Sequence, residues 1–373
     1  MMKAVKKRSV GLILAAAMAL ITGMVYFSVP ESFALPAPKT NTLSVTERDV
    51  PNGPSQAIPA PTPSPTQNPT PSPTPEPTPE PAVEMSVFGV STMSDATELD
   101  LTGVKIADLE ELTTQLGEIK RLKRVIMIHC GLKDEAMQEL QSRFPKIEFV
   151  WITHIASCGV RTDTTYFTTY NPYEHLYNCG SLEGFRNCPD IVALDLGHGL
   201  SGLSPDGSYL RYLPHLKYLI LYMAPYESLP ELSGLKELEY LELMRSGIRD
   251  ISPLRDCPNL KHLNLCNTYY LEDKEAALDV LCSLTQLERL WISDDLFAEE
   301  QLARLLAALP ETKVHLAHGF GDICVNDGGW RLDPSYFEMR DALHMFYMTD
   351  AGGVQPVNPY TGERSKYENT NPF

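Results

Sequence analysis

An α/β solenoid, with a curved parallel sheet on one face and helices or irregular turns on the other, is the fold predicted for most of this chain. Three observations predict it. The frame Leu-x-x-Leu-x-Leu recurs as Leu216, Leu219, Leu221, as Leu238, Leu241, Leu243, as Leu260, Leu263, Leu265, and as Leu287, Leu290, Ile292, its middle positions spaced by 22, 22 and 27. Looser copies stand at Leu122, Val125, Met127 and at Ile191, Leu194, Leu196. A gapless duplication sets Leu122–Trp151 on Leu287–Leu316 at an offset of 165, each copy reading strand, acidic helix start, apolar helical face and proline. Finally, 16 of the 30 prolines fall between Pro30 and Pro81, so the apolar residues of the 373-residue chain concentrate in the part that follows.

The amino terminus comes first in chain order. Lys3, Lys6, Lys7 and Arg8 precede an uncharged apolar run from Val10 to Val29, about the span of a bilayer's hydrocarbon layer. Residues 1–29 therefore read as a signal peptide or a signal-anchor transmembrane helix. Small residues at Ser32-Phe33-Ala34 suit cleavage, and the length of the run suits a retained anchor. The basic flank places the chain beyond Pro30 outside the membrane, as a single-pass protein or, if cleaved at Ala34, a secreted one. Residues 30–82 are a Pro/Thr/Ser-rich stalk without a fold of its own. Proline fixes φ and removes a donor, so residues 59–81 would extend as polyproline II for roughly 70 Å.

Residues 83–327 carry the repeats. Frame positions 4 and 6 point to one face of a strand, and a single turn of chain cannot bury them. Stacked turns can: rows of leucine make the core, parallel strands pair along one side, and segments such as Asp134–Phe144 cover the other. Asp95–Leu99 and Asp163–Phe167 are related extended segments, the first expected to open an amino-terminal cap; Thr153–Asn187 fits the frame poorly. Residues 328–373 form the carboxy-terminal cap and tail, with Tyr336, Met339, Leu343, Phe346 and Tyr347 at the spacing of one capping helix.

Gly247-Ile248-Arg249-Asp250-Ile251-Ser252-Pro253-Leu254, followed by Leu260, Leu263 and Leu265, gives the domain a resemblance to leucine-rich repeat proteins, and its central coils to bacterial internalin-type surface proteins. Gly328-Gly329-Trp330-Arg331 and Met339-Arg340-Asp341-Ala342 are similar to the ends of exported repeat proteins of anaerobic gut Firmicutes, a group that implies no activity. The departure is frame position 9, where such repeats carry Asn to satisfy buried backbone groups. Here it is Cys130, Ala224, Ser246, Thr268 and Asp295, so coil regularity is open.

In a fold of this kind the strand residues alternating with the core leucines form the exposed face. The candidate ligand-binding residues are therefore Tyr218, Tyr222, Tyr240, Glu242, Met244, His262, Asn264, Arg289, Trp291 and His315. Their Tyr, Trp and Met content suits interface anchors, and equally suits stacking between adjacent strands. A protein or glycan ligand is expected on this face, with no cofactor, metal or catalytic residue assigned. None of the nine histidines forms an i, i+4 pair, and no Cys-x-x-Cys occurs. Gly197-x-Gly199-x-x-Gly202 lacks the helix start that a dinucleotide fingerprint needs, and Asp294-Asp295 point to opposite faces of a strand. A structural envelope protein without a ligand is the alternative, and a cell-wall hydrolase the weaker one.

Charge and cysteine usage bound the partners further. Up to Ala82 the chain holds six of the 31 Lys+Arg and five of the 48 Asp+Glu, leaving 25 against 43, a net −18, on the domain. Nucleic acid is thus an unsuitable partner, and membrane contact is expected only through the amino-terminal segment. All eight cysteines lie in the exported part, where disulfides are permitted. Cys188 and Cys257, each before proline at equivalent coil starts, read as small buried hydrophobes; Cys179 with Cys188 is the one pairing considered.

Overall fold

The leucine frame folds as its period requires. In the computed structural model the described residues are 81–156, 158–169, 180–197, 207–319, 328–345, 347–348 and 354–355, all within one unit, Pro77–Phe373. The apolar run Val10–Val29, most of the stalk, and Cys179 lie outside them. Among the described residues no helix is long and apolar enough to cross a membrane.

Seven strands form one parallel sheet in chain order: β8 (Tyr166–Thr168), β9 (Ala193–Asp195), β10 (Tyr218–Ile220), β11 (Tyr240–Glu242), β12 (His262–Asn264), β13 (Arg289–Ser293) and β14 (Lys313–Ala317). Their register aligns Phe167, Leu194, Leu219, Leu241, Leu263, Leu290 and Val314 in one row. That row and the neighbouring Leu221, Leu243 and Leu265 are packed into a single core with the apolar residues of the coil backs. This is a leucine-rich repeat solenoid. In the coils approaching β10, β11 and β12 the back is a 3-10 turn: Ser208–Tyr212, Pro230–Gly234 and Ser252–Asp256. The longer coil between Leu263 and Leu290 instead holds an α-helix, Lys274–Ser283, because the lower rise of the α-helix stores more residues per unit length.

The unusual residues at frame position 9 do not break the coils. The backbone N–H groups of Ala224, Ser246 and Thr268 each donate to the carbonyl three positions back, at Leu221, Leu243 and Leu265. Cys130 Sγ donates to the Leu101 carbonyl at 3.0 Å, and Thr268 Oγ1 to that of Leu243 at 3.3 Å. The preceding residues, His129, Met223, Arg245 and Asn267, all adopt φ between 56° and 59°. Met223 and Arg245 N–H then reach the carbonyls of Met244 and Cys266 on the next coil. A non-glycine residue at positive φ is costly, and here it turns a backbone donor towards the neighbouring coil.

A second, smaller parallel sheet precedes the first: β3 (Glu98–Asp100), β4 (Arg124–Ile126) and β5 (Glu148–Val150), with helices α1 (Leu109–Gly117) and α2 (Asp134–Arg143) behind it and its own apolar core. The duplication seen in the sequence holds element for element: β4, α2 and β5 map onto β13, α4 (Glu299–Ala308) and β14. The Lys274–Ser283 helix described above is α3.

The segment that fits the frame poorly has a specific cause. Two antiparallel hairpins, β1 (Glu84–Val87) with β2 (Val90–Met93) and β6 (Ile152–Ile155) with β7 (Cys158–Arg161), are related by one offset, which sets Glu84 on Ile152 and also carries β3 onto β8. Their hydrogen bonds repeat as well. Ser94 N–H to Val83 O at 2.8 Å matches Thr162 to Trp151 at 3.0 Å, and Ala96 to Met93 at 3.0 Å matches Thr164 to Arg161 at 3.1 Å. Both turns place a non-glycine residue, Phe88 or Ala156, at positive φ. Each hairpin leads into the first strand of a sheet, so the expected cap begins at Glu84, ahead of Asp95. Ile152–Thr168 is a second cap inside the chain, opening a second solenoid.

The two solenoids meet on a satisfied polar cluster. The Asp134 carboxylate accepts from Trp151 Nε1 and Thr153 Oγ1, both at 2.7 Å, and from Asn187 Nδ2 at 3.2 Å, while Gln138 Nε2 donates to Asn187 Oδ1 at 2.8 Å. The inner hairpin also lies against the 3-10 turn Glu183–Asn187: a Cβ on Gly184 would stand 2.1 Å from the His154 carbonyl oxygen. The two nearest atoms, the His154 carbonyl oxygen and carbon, are backbone and cannot swing aside. Gly184→Ala is expected to lower unfolding stability by about 2 kcal/mol in urea titrations. An unchanged midpoint would mean that the hairpin does not rest there.

Cys188 and Cys257 are fully buried, as their coil positions require, and burial pushes their thiols up to about 12 and about 11. Cys257 Sγ donates to the Leu232 carbonyl at 3.2 Å. Protonated, enclosed thiols serve as core packing.

Candidate functional site: the strand face and its cover

Side chains that alternate with the core leucines stand on the opposite side of the seven-stranded sheet. Register sets Tyr218, Tyr240, His262, Arg289 and Lys313 in one row, and Thr168, Asp195, Ile220, Glu242, Asn264, Trp291 and His315 in the next. The aromatic ladder forms: ring centroids lie 6.4 Å apart for Tyr218–Tyr240 and 6.1 Å for Tyr240–His262. The inter-strand ring contacts expected of it are present.

The face is not open. Residues 328–345 return across it, and a second apolar cluster, separate from the leucine core, is built from both. The face contributes Ala193, Ile220, Tyr222, Tyr240, Met244, Cys266, Trp291 and Ala317; the returning segment contributes Trp330, Tyr336, Phe337, Met339, Leu343 and Met345. Helix α5 (Pro334–Ala342) starts at Asp333, whose carboxylate accepts from Ser335 N–H at 3.1 Å and Ser335 Oγ at 2.6 Å. The capping helix expected from Tyr336 onward therefore exists, but its apolar side lies on the strand face, and it ends at Ala342. Tyr347 instead sits in β15 (Tyr347–Met348), antiparallel to β16 (Val354–Gln355); Phe346 is outside the described residues.

Polar contacts fix one end of the segment and a ring contact the other. At β13 the Gly328 carbonyl accepts from Trp291 Nε1 at 2.9 Å and from Arg289 Nη2 at 3.1 Å, and Arg289 Nε pairs with Asp333 Oδ2 at 2.7 Å. Gly328 has φ of 88°, and a Cβ there would meet His315 Nδ1 at 2.7 Å, so the chain passes where only glycine fits. At β8 the His344 and Tyr166 rings stack, centroids 4.0 Å apart. Seven strands at about 4.8 Å spacing make roughly 29 Å of sheet, and the segment crosses all of it. A cleft of about 660 Å³ remains beside α5, bordered by Tyr218, His262, Arg289, Asp333 and Glu338.

Beneath the helix, two carboxyl groups are sealed from water. Burial raises Glu242 to about 8, with Asp195 adding to the rise and Arg331 and Arg340 opposing it. Asp195 is raised to about 6 by burial, against the Gly197 N–H bond, Arg340 and Thr168. Burial also drives the Tyr240 hydroxyl well above its usual range and holds His262 and His344 below theirs. Among the described residues, buried side-chain atoms without a hydrogen-bond partner gather at this interface: Tyr240 Oη, Glu242 Oε2, His262 Nδ1, Asn264 Nδ2, Trp330 Nε1, Arg331 Nε, and Arg289 Nε, which keeps its ion pair with Asp333. Ser246 Oγ, on a turn, is the exception outside it.

The sequence-predicted residues are therefore together on one face but differ in access. Tyr222, Tyr240, Glu242, Met244, Asn264 and Trp291 are buried under the returning segment, while Tyr218, His262, Arg289 and His315 are half-buried along its edge. Arg331, Tyr336, Phe337 and Arg340 were missed as members of the site, although the helical spacing that includes Tyr336 was visible. Met223, Tyr269 and Tyr270, in the turns that follow β10 and β12, are large side chains left exposed.

No family model matches the chain, and no curated protein does. Solved structures similar to it include internalin C2 of Listeria monocytogenes, at 21% identity over 45% of this chain and 81% of that one, with a TM-score of 0.30. An internalin F of the same organism is 16% identical over 69% of this chain and 74% of that one, TM-score 0.31. A leucine-rich repeat protein of Leptospira interrogans is 16% identical over 58% and 59%, TM-score 0.29. The assignment of the repeat fold rests on this chain's own register, with its rows of leucine on one side of the sheet and the aromatic face on the other.

Proposed function

We propose that this protein is a polypeptide-binding module held outside the cytoplasmic membrane, carried on its proline-rich stalk by the apolar amino-terminal segment, and not an enzyme. One observation carries the reading: the strand face already seats a polypeptide, the helical segment 328–345, through aromatic and charged side chains. That seat favours a protein ligand over a glycan. The basic residues before Val10–Val29 and the prolines of residues 59–81 support the tether and the spacer. The net negative charge of the domain supports a partner other than nucleic acid.

The test is a panel of envelope proteins, host-surface proteins and glycans probed with the full chain and with Tyr218→Ala, a half-buried edge residue. A saturable protein ligand whose affinity falls about tenfold in the variant, while the variant stays folded with only the small drop in midpoint that loss of the Tyr240 contact brings, is the expected result. Glycan-only binding would remove the polypeptide reading, and no saturable ligand at all would leave the envelope-spacer alternative. Clearing in a peptidoglycan zymogram would instead support the hydrolase.

A further inference from the structure

We propose that residues 328–345 form a displaceable strap, which occupies the strand face in cis and lifts off to admit a partner helix of like chemistry, amphipathic with aromatic and basic side chains. This rests on the reading of the face as a polypeptide-binding surface and concerns how access to it is controlled.

Three features of the interface separate the strap from the solenoid. Among the described residues, the backbone–backbone hydrogen bonds of residues 328–345 outside the helix ladder are local: Leu332 to Gly329, Asp333 to Trp330, Tyr336 to Asp333, Leu343 to Met339, His344 to Asp341 and Met345 to Arg340. The solenoid strands, by contrast, share a continuous backbone ladder, so the strap can leave without breaking one. The two cores are also distinct, since the leucine cluster contains no strap residue and stays closed when the strap departs. Lastly, the orphaned atoms Tyr240 Oη, Glu242 Oε2 and Asn264 Nδ2 lie on the face, and Trp330 Nε1 and Arg331 Nε on the strap. Each is an unmet hydrogen bond that opening restores to water, so the seal is weaker than its apolar area implies. The face's own chemistry defines the partner. The strap now sets Trp330, Tyr336 and Phe337 against Tyr222, Tyr240, Met244 and Trp291 and buries Arg340 and the Arg331 Nε with them, so a helix that replaces it carries aromatic and basic side chains.

Hydrogen exchange on the full chain tests this, in the wild type and in Asp333→Asn, which keeps a capping side chain while removing the charge facing Arg289. Amides of 335–342 are expected to exchange at least about 100-fold faster than those of β10–β12, and about tenfold faster again in the variant, with the strand amides unchanged. Should helix and strand amides share one protection level in both proteins, the segment is permanent core and the proposal is overturned. A synthetic peptide of residues 328–345, titrated onto both proteins, separates the two claims. Tighter saturable binding to the variant supports competition for the face. Independent opening with no peptide binding keeps the strap but removes the face as a polypeptide seat.

Discussion

Trp291→Ala is expected to lower the unfolding free energy by about 4 kcal/mol, within the range for deleting a buried aromatic side chain. Trp291 is fully buried, stands in the centre of β13, and faces the strap. Its ring packs under the Arg289 guanidinium, 5.1 Å from the centroid, and its Nε1 donates to the Gly328 carbonyl at 2.9 Å. Truncation removes the apolar contact and one of the two donors to that carbonyl, and it leaves a cavity in the second apolar cluster. Urea denaturation followed by circular dichroism gives the magnitude. A loss under about 1 kcal/mol would show that the strap and Trp291 do not share an interface.

Glu242→Gln is expected to stabilise the protein at pH 8 by on the order of 3 kcal/mol relative to its effect at pH 5. Glu242, raised from 4.5 to about 8, and Asp195, raised from 3.8 to about 6, both prefer the protonated form in the folded chain. Their contribution is complete below about pH 4 and is lost as pH rises through 6 and then 8. His262 and His344, held below 6.5 by burial, act the other way: they favour the fold once pH exceeds the ordinary histidine value. A glutamine at 242 retains the shape without the charge, so the difference between the two proteins at each pH isolates Glu242 from the histidines. The interval from pH 5 to pH 8 stops short of both ends of the titration, which sets the expectation below the full conversion of the rise from 4.5 to about 8. A pH-independent difference would show that the carboxyl is solvated, and hence that the strap does not seal it.

Both experiments bear on an interface that one half of the sequence announced and the other half did not. The frame through Leu219, Leu241, Leu263 and Leu290 was legible because a short, nearly constant period with two inward leucines per turn has no other way to be buried. The same alternation put Tyr240, Glu242, Asn264 and Trp291 on one face without any coordinates. The internal hairpin at Ile152–Arg161 was harder to see. Its likeness to Glu84–Met93 is one of turn geometry and backbone hydrogen bonds, carried by different side chains, and only Asp163–Phe167 repeats Asp95–Leu99 in a visible way. The apolar spacing of Tyr336, Met339 and Leu343 was legible as an amphipathic helix, yet its address was not: an apolar helix face satisfies any complementary apolar surface, and the sequence offers two, the end of the stack and the strand face.

Local repetition thus determined the solenoid, since each coil needs only its neighbour and the information lies within about two turns of chain. Which surface the last helix covers was decided by the tertiary structure alone. The deciding contacts join residues far apart in the chain: Gly328 with Trp291, Asp333 with Arg289, and His344 with Tyr166. Periodicity carries no record of pairs like these, because each depends on shape and charge meeting once in space.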